Sequence, residues 1–135
     1  MGMSHQRADA TLNLALRNGA TPHLWLHTGN PGAAGTANVA QIAAANIVRK
    51  PITFNAPENH PTNVERRVLS AAAVVWLGTE ITATQNITHI SIWSAASGGV
   101  PEFINAVTVA KIVGSDGVTI DPATVEAAIG VHVKP

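Results

Sequence analysis

Thr88-His89-Ile90-Ser91-Ile92-Trp93-Ser94, the turn residues Ser97-Gly98-Gly99 and the stretch from Phe103 to Val113 decide the fold. The first run alternates, so Ile90 and Ile92 fall on one side of an extended chain and His89, Ser91 and Trp93 on the other. A glycine pair between two such runs is hairpin chemistry. The same alternation recurs in His23-Leu24-Trp25-Leu26-His27-Thr28, after Thr21-Pro22 has set the backbone to extended.

Working outward, Ile47 to Phe54 is rich in β-formers, but Pro51 lacks the donor a central ladder needs, so this stretch predicts an edge strand or a bulge. Val64 to Leu77 holds the strongest apolar run, and Val74, Val75 and Trp76 favour strand over helix there. Gly29 to Thr36 is dense in turn residues, and Asn55 to Asn63, with Pro57 and Pro61, reads as a polar loop. Asn38 to Asn46 fits a short helix or an irregular crossover. Gly114 to Gly117 turns into a short strand at Val118-Thr119-Ile120.

The capped helix signals lie towards the ends of the chain. Asp9 to Asn18 has an acidic start, good helix formers and a Gly19 stop. Asp121-Pro122 looks like an N-cap and first helical residue for one or two turns ending near Gly130, before a last strand at Val131 to Val133. The fold expected is mainly β, an antiparallel sandwich or barrel with a short N-terminal helix, built as a single domain over 1–135. Its core should contain Leu24, Leu26, Val75, Ile90, Ile92 and Val109.

Charged residues make up 12% of the chain, about half the usual globular fraction. Small neutral side chains cover the difference, and a surface of that kind can be buried against a partner without stranding ions. This favours an assembly subunit and a homo-oligomer. The net charge of zero gives no field for a phosphate backbone or an anionic membrane, so neither nucleic acid nor membrane is an expected partner. Arg49-Lys50 and Arg66-Arg67 are the basic pairs, read as strand ends or salt-bridging groups. Without cysteine there is no disulfide and no thiolate chemistry. The N-terminal residues show no secretory h-region, which predicts a chain kept in the cytoplasm until it joins a larger object.

Catalytic and metal-binding patterns are weak. His23 and His27 are four apart, a spacing that converges on an ion only on a helix; on a strand they stand about 13 Å apart. His89 beside Ser91 lacks a Gly-x-Ser-x-Gly elbow, and the acidic residues are scattered. The glycine-rich loop has no lysine after Gly35, and Pro31 removes a donor that a phosphate cradle would use. The sequence therefore predicts no enzyme, no cofactor, no metal and no small-molecule substrate. Trp25, Trp76 and Trp93 are assigned to the core ahead of an interface.

The segments Leu24-Trp25-Leu26-His27-Thr28-Gly29-Asn30-Pro31-Gly32, Gly35-Thr36-Ala37-Asn38 and Arg49-Lys50-Pro51-Ile52-Thr53-Phe54 follow one another in a recognisable order. They resemble a tailed-phage family of tail-fibre-like or small virion proteins that opens with "LHTGDPG…GTA…R…ITF". Ile87 to Ala95 followed by Gly98-Gly99 is similar to the same family's "VTHVGLFDAASGG" strand and turn. The resemblance runs over about residues 9 to 120 and implies a virion protein with no catalytic residues to carry over.

Within the virion, a chain of this size without a coiled-coil stalk or repeat suits a capsid accessory protein, decorating or minor, that binds the major capsid protein or other virion proteins. A tail or tail-fibre component is the alternative, and a host-directed enzyme or inhibitor a remote third. The contact residues expected are Asn30, Pro31, Gly32 and Thr36 in the first loop and Glu58, Asn59 and His60 in the second, since loops on a rigid sheet adapt to a neighbour.

Overall fold

The computed structural model describes residues 3–19, 21–40 and 49–130. Among the described residues, mainly antiparallel sheets and one N-terminal helix make the fold, and the sheets do not close into a barrel. The expected strand at 131–133 and most of the 38–46 crossover lie outside the described residues.

Helix α1 spans His5–Leu16 and begins four residues earlier than its acidic residue suggests. Ser4 is the N-cap, its hydroxyl accepting from the Arg7 amide, so a side-chain acceptor and not Asp9 sets the start. Ala8, Leu12 and Leu16 recur every four residues, form one buried stripe and pack α1 onto the second sheet.

The first sheet is ordered β2-β1-β6-β7, from β1 (His23–His27), β2 (Lys50–Pro51), β6 (Gln85–Trp93) and β7 (Pro101–Val113). As its proline demands, β2 is an edge strand. Pairing β1 with β6 sets Leu24 opposite Ile92 and Leu26 opposite Ile90, so the apolar alternation of both strands shares one core face. The opposite face pairs His23 with Trp93, Trp25 with Ser91 and His27 with His89. The β6–β7 hairpin turns where the sequence predicts, with Gly98 and Gly99 both at positive φ.

Val64 to Leu77 is not the single strand its composition suggests. It splits into β4 (Glu65–Leu69) and β5 (Val74–Trp76), which belong to different sheets. At the break Ser70 is fully buried while Ala71, Ala72 and Ala73 are exposed, so the chain crosses from one sheet to the next here. The second sheet is β3-β4-β9, with β3 (Glu58–Asn59) inside the segment read as a loop and β9 at Glu126–Gly130. A two-stranded sheet pairs β5 with β8 (Val118–Ile120).

The helical turn expected after Asp121 is likewise replaced. The Ala123 amide donates to the Ser70 carbonyl, and the Ser70 amide donates in turn to the Val125 carbonyl. The Ser70 hydroxyl also accepts from the Val125 amide. Ser70 thereby feeds the chain into β9, where β4 offers a whole ladder in place of two isolated helical turns.

All three sheets and α1 share one apolar cluster that includes Leu12, Leu24, Val68, Trp76, Ile92 and Val118. Of the expected core, Leu24, Leu26 and Ile92 are buried and Ile90 is half-buried against the cluster. Val75 is a correction, because β5 turns Val74 and Trp76 inward and leaves it 42% exposed. Val109 is a second correction, at 79% exposed. Ile87 pairs with Lys111 and His89 with Ala106, so residues 107–110 arch away opposite the single residue Thr88 and never enter the ladder.

Candidate functional site

The outer face of β1 and β6 would be an open polar surface if the chain after β1 did not fold back over it. Gly29 to Asn38 forms that cover. The Asn30 side chain accepts from the Gly32 amide, Asn38 Nδ2 donates to the Asn30 carbonyl, and the Thr28 amide donates to the Asn38 carbonyl. Gly35 sits at φ +71°, where a Cβ would lie 3.0 Å from Trp93 Cζ2, so glycine lets the loop close on the indole. Pro31 and Gly35 are buried under the loop, while Asn30, Gly32 and Thr36 are exposed on it.

Beneath the loop runs a directed hydrogen-bond chain. His27 Nδ1 lies 3.0 Å from the Ala37 carbonyl and can only donate there, which leaves Nε2 to accept from Ser91 Oγ at 2.8 Å. Ser91 Oγ in turn accepts from Trp93 Nε1 at 2.8 Å. The sequence set His89 beside Ser91; the structure gives Ser91 to His27, and His89 Nδ1 meets Thr88 Oγ1 instead.

A serine hydroxyl on a histidine nitrogen is also how a hydrolase activates its nucleophile. Here both residues are 0% exposed, a carbonyl and not a carboxylate holds the ring, and an indole already occupies the serine oxygen. The arrangement fixes the loop to the sheet and offers a substrate no approach. Burial, reinforced by the neighbouring charges of His89 and Arg49, holds the His27 pKa below its ordinary 6.5, so the ring stays neutral.

Arg49, read from sequence as a strand-end cation, is 9% exposed and stacked between two indoles. Its guanidinium carbon is 4.4 Å from the Trp25 ring centroid and 3.9 Å from that of Trp93. Nη1 donates to the Ala95 and Gly98 carbonyls at 3.0 and 2.8 Å, tying the β6–β7 turn to the start of β2. Burial lowers its pKa from the ordinary value. Trp25 and Trp93 therefore bracket a cation on the outer face, while Trp76 alone of the three joins the main cluster.

The second expected contact loop sits on the second sheet. Arg66 makes a two-pronged pair with Asp9 at 2.6 and 2.9 Å, and it also reaches Asn59 Oδ1. The Asp9 hydrogen bond raises the Arg66 pKa. Arg67 bridges Glu58 and Glu126, and Lys50 pairs with Glu80 at 2.9 Å. Both basic pairs thus serve contacts within the chain. Glu58 and Asn59 remain exposed, and His60 is half-buried.

His60, Glu65 and Glu126 bring potential metal-ligand atoms within 4.8 Å of one another. His60 Nδ1, however, accepts from the amides of Thr62 and Asn63 at 3.2 and 2.9 Å. The ring proton is then on Nε2, 3.6 Å from Glu126, so that nitrogen presents a hydrogen to the cluster and no lone pair. His27 is equally committed, with both ring nitrogens engaged.

The sequence missed the surface formed by the β7 arch. A groove of about 590 Å³ lies between residues 105–111 and the strands β8 and β9, floored by Ile87, Ile90, Val118, Ile120 and Val125. Val109 and Ile112, 79% and 75% exposed, stand on β7 beside it. The available signal was length, since β7 has thirteen residues and its partner β6 nine. Among the described residues, no helix is long and apolar enough to cross a membrane.

A sequence model of the family described as "Podophage GP4 fiber I protein gp80" (Gp80) matches residues 2–127. No curated protein matches the chain significantly.

Proposed function

Since the chain belongs to the Gp80 family of phage fibre proteins, we propose that it is a tail-fibre subunit, one structural domain that acts by binding other virion proteins and carries no catalytic activity. The family match over residues 2–127 carries the reading. It favours the tail placement over the capsid-lattice placement that size and low charge suggested. The chemistry of the outer face supports a non-enzymatic role, because the one serine–histidine pair described there is sealed beneath the 29–38 loop.

Asn30, Gly32 and Thr36 are the exposed side of that loop, and Glu58 and Asn59 the exposed side of β3. These residues are where we place contacts to neighbouring virion proteins. A loop stitched to the sheet by its own hydrogen bonds loses little conformational entropy when a neighbour docks on it.

Gold-labelled antibody on intact virions, combined with quantitative mass spectrometry, tests the placement. The expected result is label at the tail and a low copy number. Label over the head at lattice copy number would replace this reading with capsid decoration, and absence from virions would remove both.

A further inference from the structure

The bend that follows α1 carries Asn18-Gly19, the one place in the chain where glycine follows an asparagine. Every other asparagine is followed by a residue with a Cβ, which crowds that residue's own amide nitrogen. An uncrowded nitrogen can bond to the carboxamide carbon of the residue before it and close a five-membered ring. The ring closes only where the backbone can turn and water has access.

Asn18 and Gly19 meet both conditions. Both are exposed, and among the described residues the Gly19 amide makes no hydrogen bond. The Asn18 amide donates to the Asn13 carbonyl at 2.8 Å, so the chain is anchored on one side of the peptide that must rotate and free on the other. Gly19 also borders a cleft of about 260 Å³ with Pro22, Ile52 and Phe54, which gives that peptide room to turn. Asp116-Gly117 is the matching acidic pair in the sequence, and there the fold blocks the same closure. The Gly117 amide donates to the Gly114 carbonyl at 2.9 Å, and a Cβ on Gly117 would overlap the Trp76 carbonyl oxygen, so the β5–β8 pair holds that peptide in place.

We propose that Asn18-Gly19 is a self-modifying site, at which the chain deamidates without an enzyme. The Gly19 nitrogen gives its proton to water and bonds to Asn18 Cγ, the adduct expels ammonia, and a cyclic imide remains. Water then opens one of the two imide carbonyls. One opening leaves aspartate on the original backbone, and the other leaves an isoaspartyl link with one extra main-chain carbon. In sum, asparagine and water become the acid and ammonia. Either product sets a negative charge just past the C-terminal end of α1, where the helix dipole repels it. The formal net charge moves from zero to minus one.

The test uses the full chain, aged in mildly alkaline buffer and mapped by mass spectrometry after digestion. Asn18 should gain one mass unit at least about tenfold faster than Asn55, which is also exposed and is followed by alanine. The product should separate into aspartyl and isoaspartyl peptides, and Gly19→Ala should slow its formation at least about tenfold. A Cβ at Gly19 would approach the Leu14 carbonyl oxygen at 3.1 Å, so Asn18→Gln, which leaves Gly19 in place, provides an independent arm. In that variant the acidic form that ion exchange resolves from aged wild type should not accumulate.

Urea separates the fold from the sequence, since an exposed and unbonded site should react in the folded chain within about fivefold of its unfolded rate. A larger acceleration of Asn18 in urea overturns the proposal. So do equal rates at Asn18 and Asn55, a Gly19→Ala chain that ages like the wild type, or an acidic form that persists in Asn18→Gln.

Discussion

Replacing Ser91 by Ala removes one oxygen and leaves two polar groups without partners. Ser91 Oγ is the acceptor for Trp93 Nε1 and the donor to His27 Nε2, each at 2.8 Å. Ser91 and His27 are 0% exposed and Trp93 is 5% exposed, so water cannot take the place of the hydroxyl without opening the structure. An unsatisfied buried donor or acceptor costs roughly 1–3 kcal/mol, and two of them together cost about 2–6 kcal/mol.

For a domain of this size that corresponds to a Tm lower by about 7–21 °C. Urea unfolding followed by tryptophan fluorescence measures the loss directly. Proteolysis between Gly29 and Asn38 should also become faster, because the His27 end of the network holds that loop at Ala37. A stability change under about 0.5 kcal/mol, the range of an ordinary surface substitution, would show that the hydroxyl does not bridge the two rings and would refute the reasoning.

Two further outcomes follow from the electrostatics. His27 is held neutral by burial, with its folded pKa below the ordinary 6.5. The unfolded chain therefore binds the extra proton, so the His27 contribution is complete above pH 6.5 and is lost as pH falls from there towards the folded pKa; urea midpoints from pH 8 to pH 5 should fall, and less steeply in His27→Gln. Asp9→Asn weakens the fork from Arg66 that ties α1 to β4, a partly exposed pair worth about 1 kcal/mol. The loss should shrink in 1 M salt, and amide exchange should rise in α1 before it rises in β6.

The alternation at 88–94 and 23–28 was enough to give the hairpin and the core-facing side of β1 and β6, because a period of two leaves an extended chain with one apolar side, while the missing donor of Pro51 narrowed its strand to an edge or a bulge. The contact loops were legible as loops, but Pro31 within the first is buried and β3 forms within the second. Val75 and Val109 were misplaced for different reasons. A three-residue strand offers too short a pattern to choose a face, and the arch at 107–110 exists only because Thr88 occupies a single place across from four residues.

By itself, the sequence determined the mainly antiparallel β architecture, the N-terminal helix and the absence of thiol chemistry, all of which depend on local periodicity or composition. The tertiary structure alone decided that β4 and β5 part at Ser70, that residues 126–130 join β4 as a strand, and that His27, Ser91, Arg49 and two indoles form one network. His27 and Ser91 stand 64 positions apart, and Arg49 reaches Gly98 across 49. No window of sequence contains both ends of such a contact, and hydrogen-bond partners are chosen by which buried groups the sheets bring face to face.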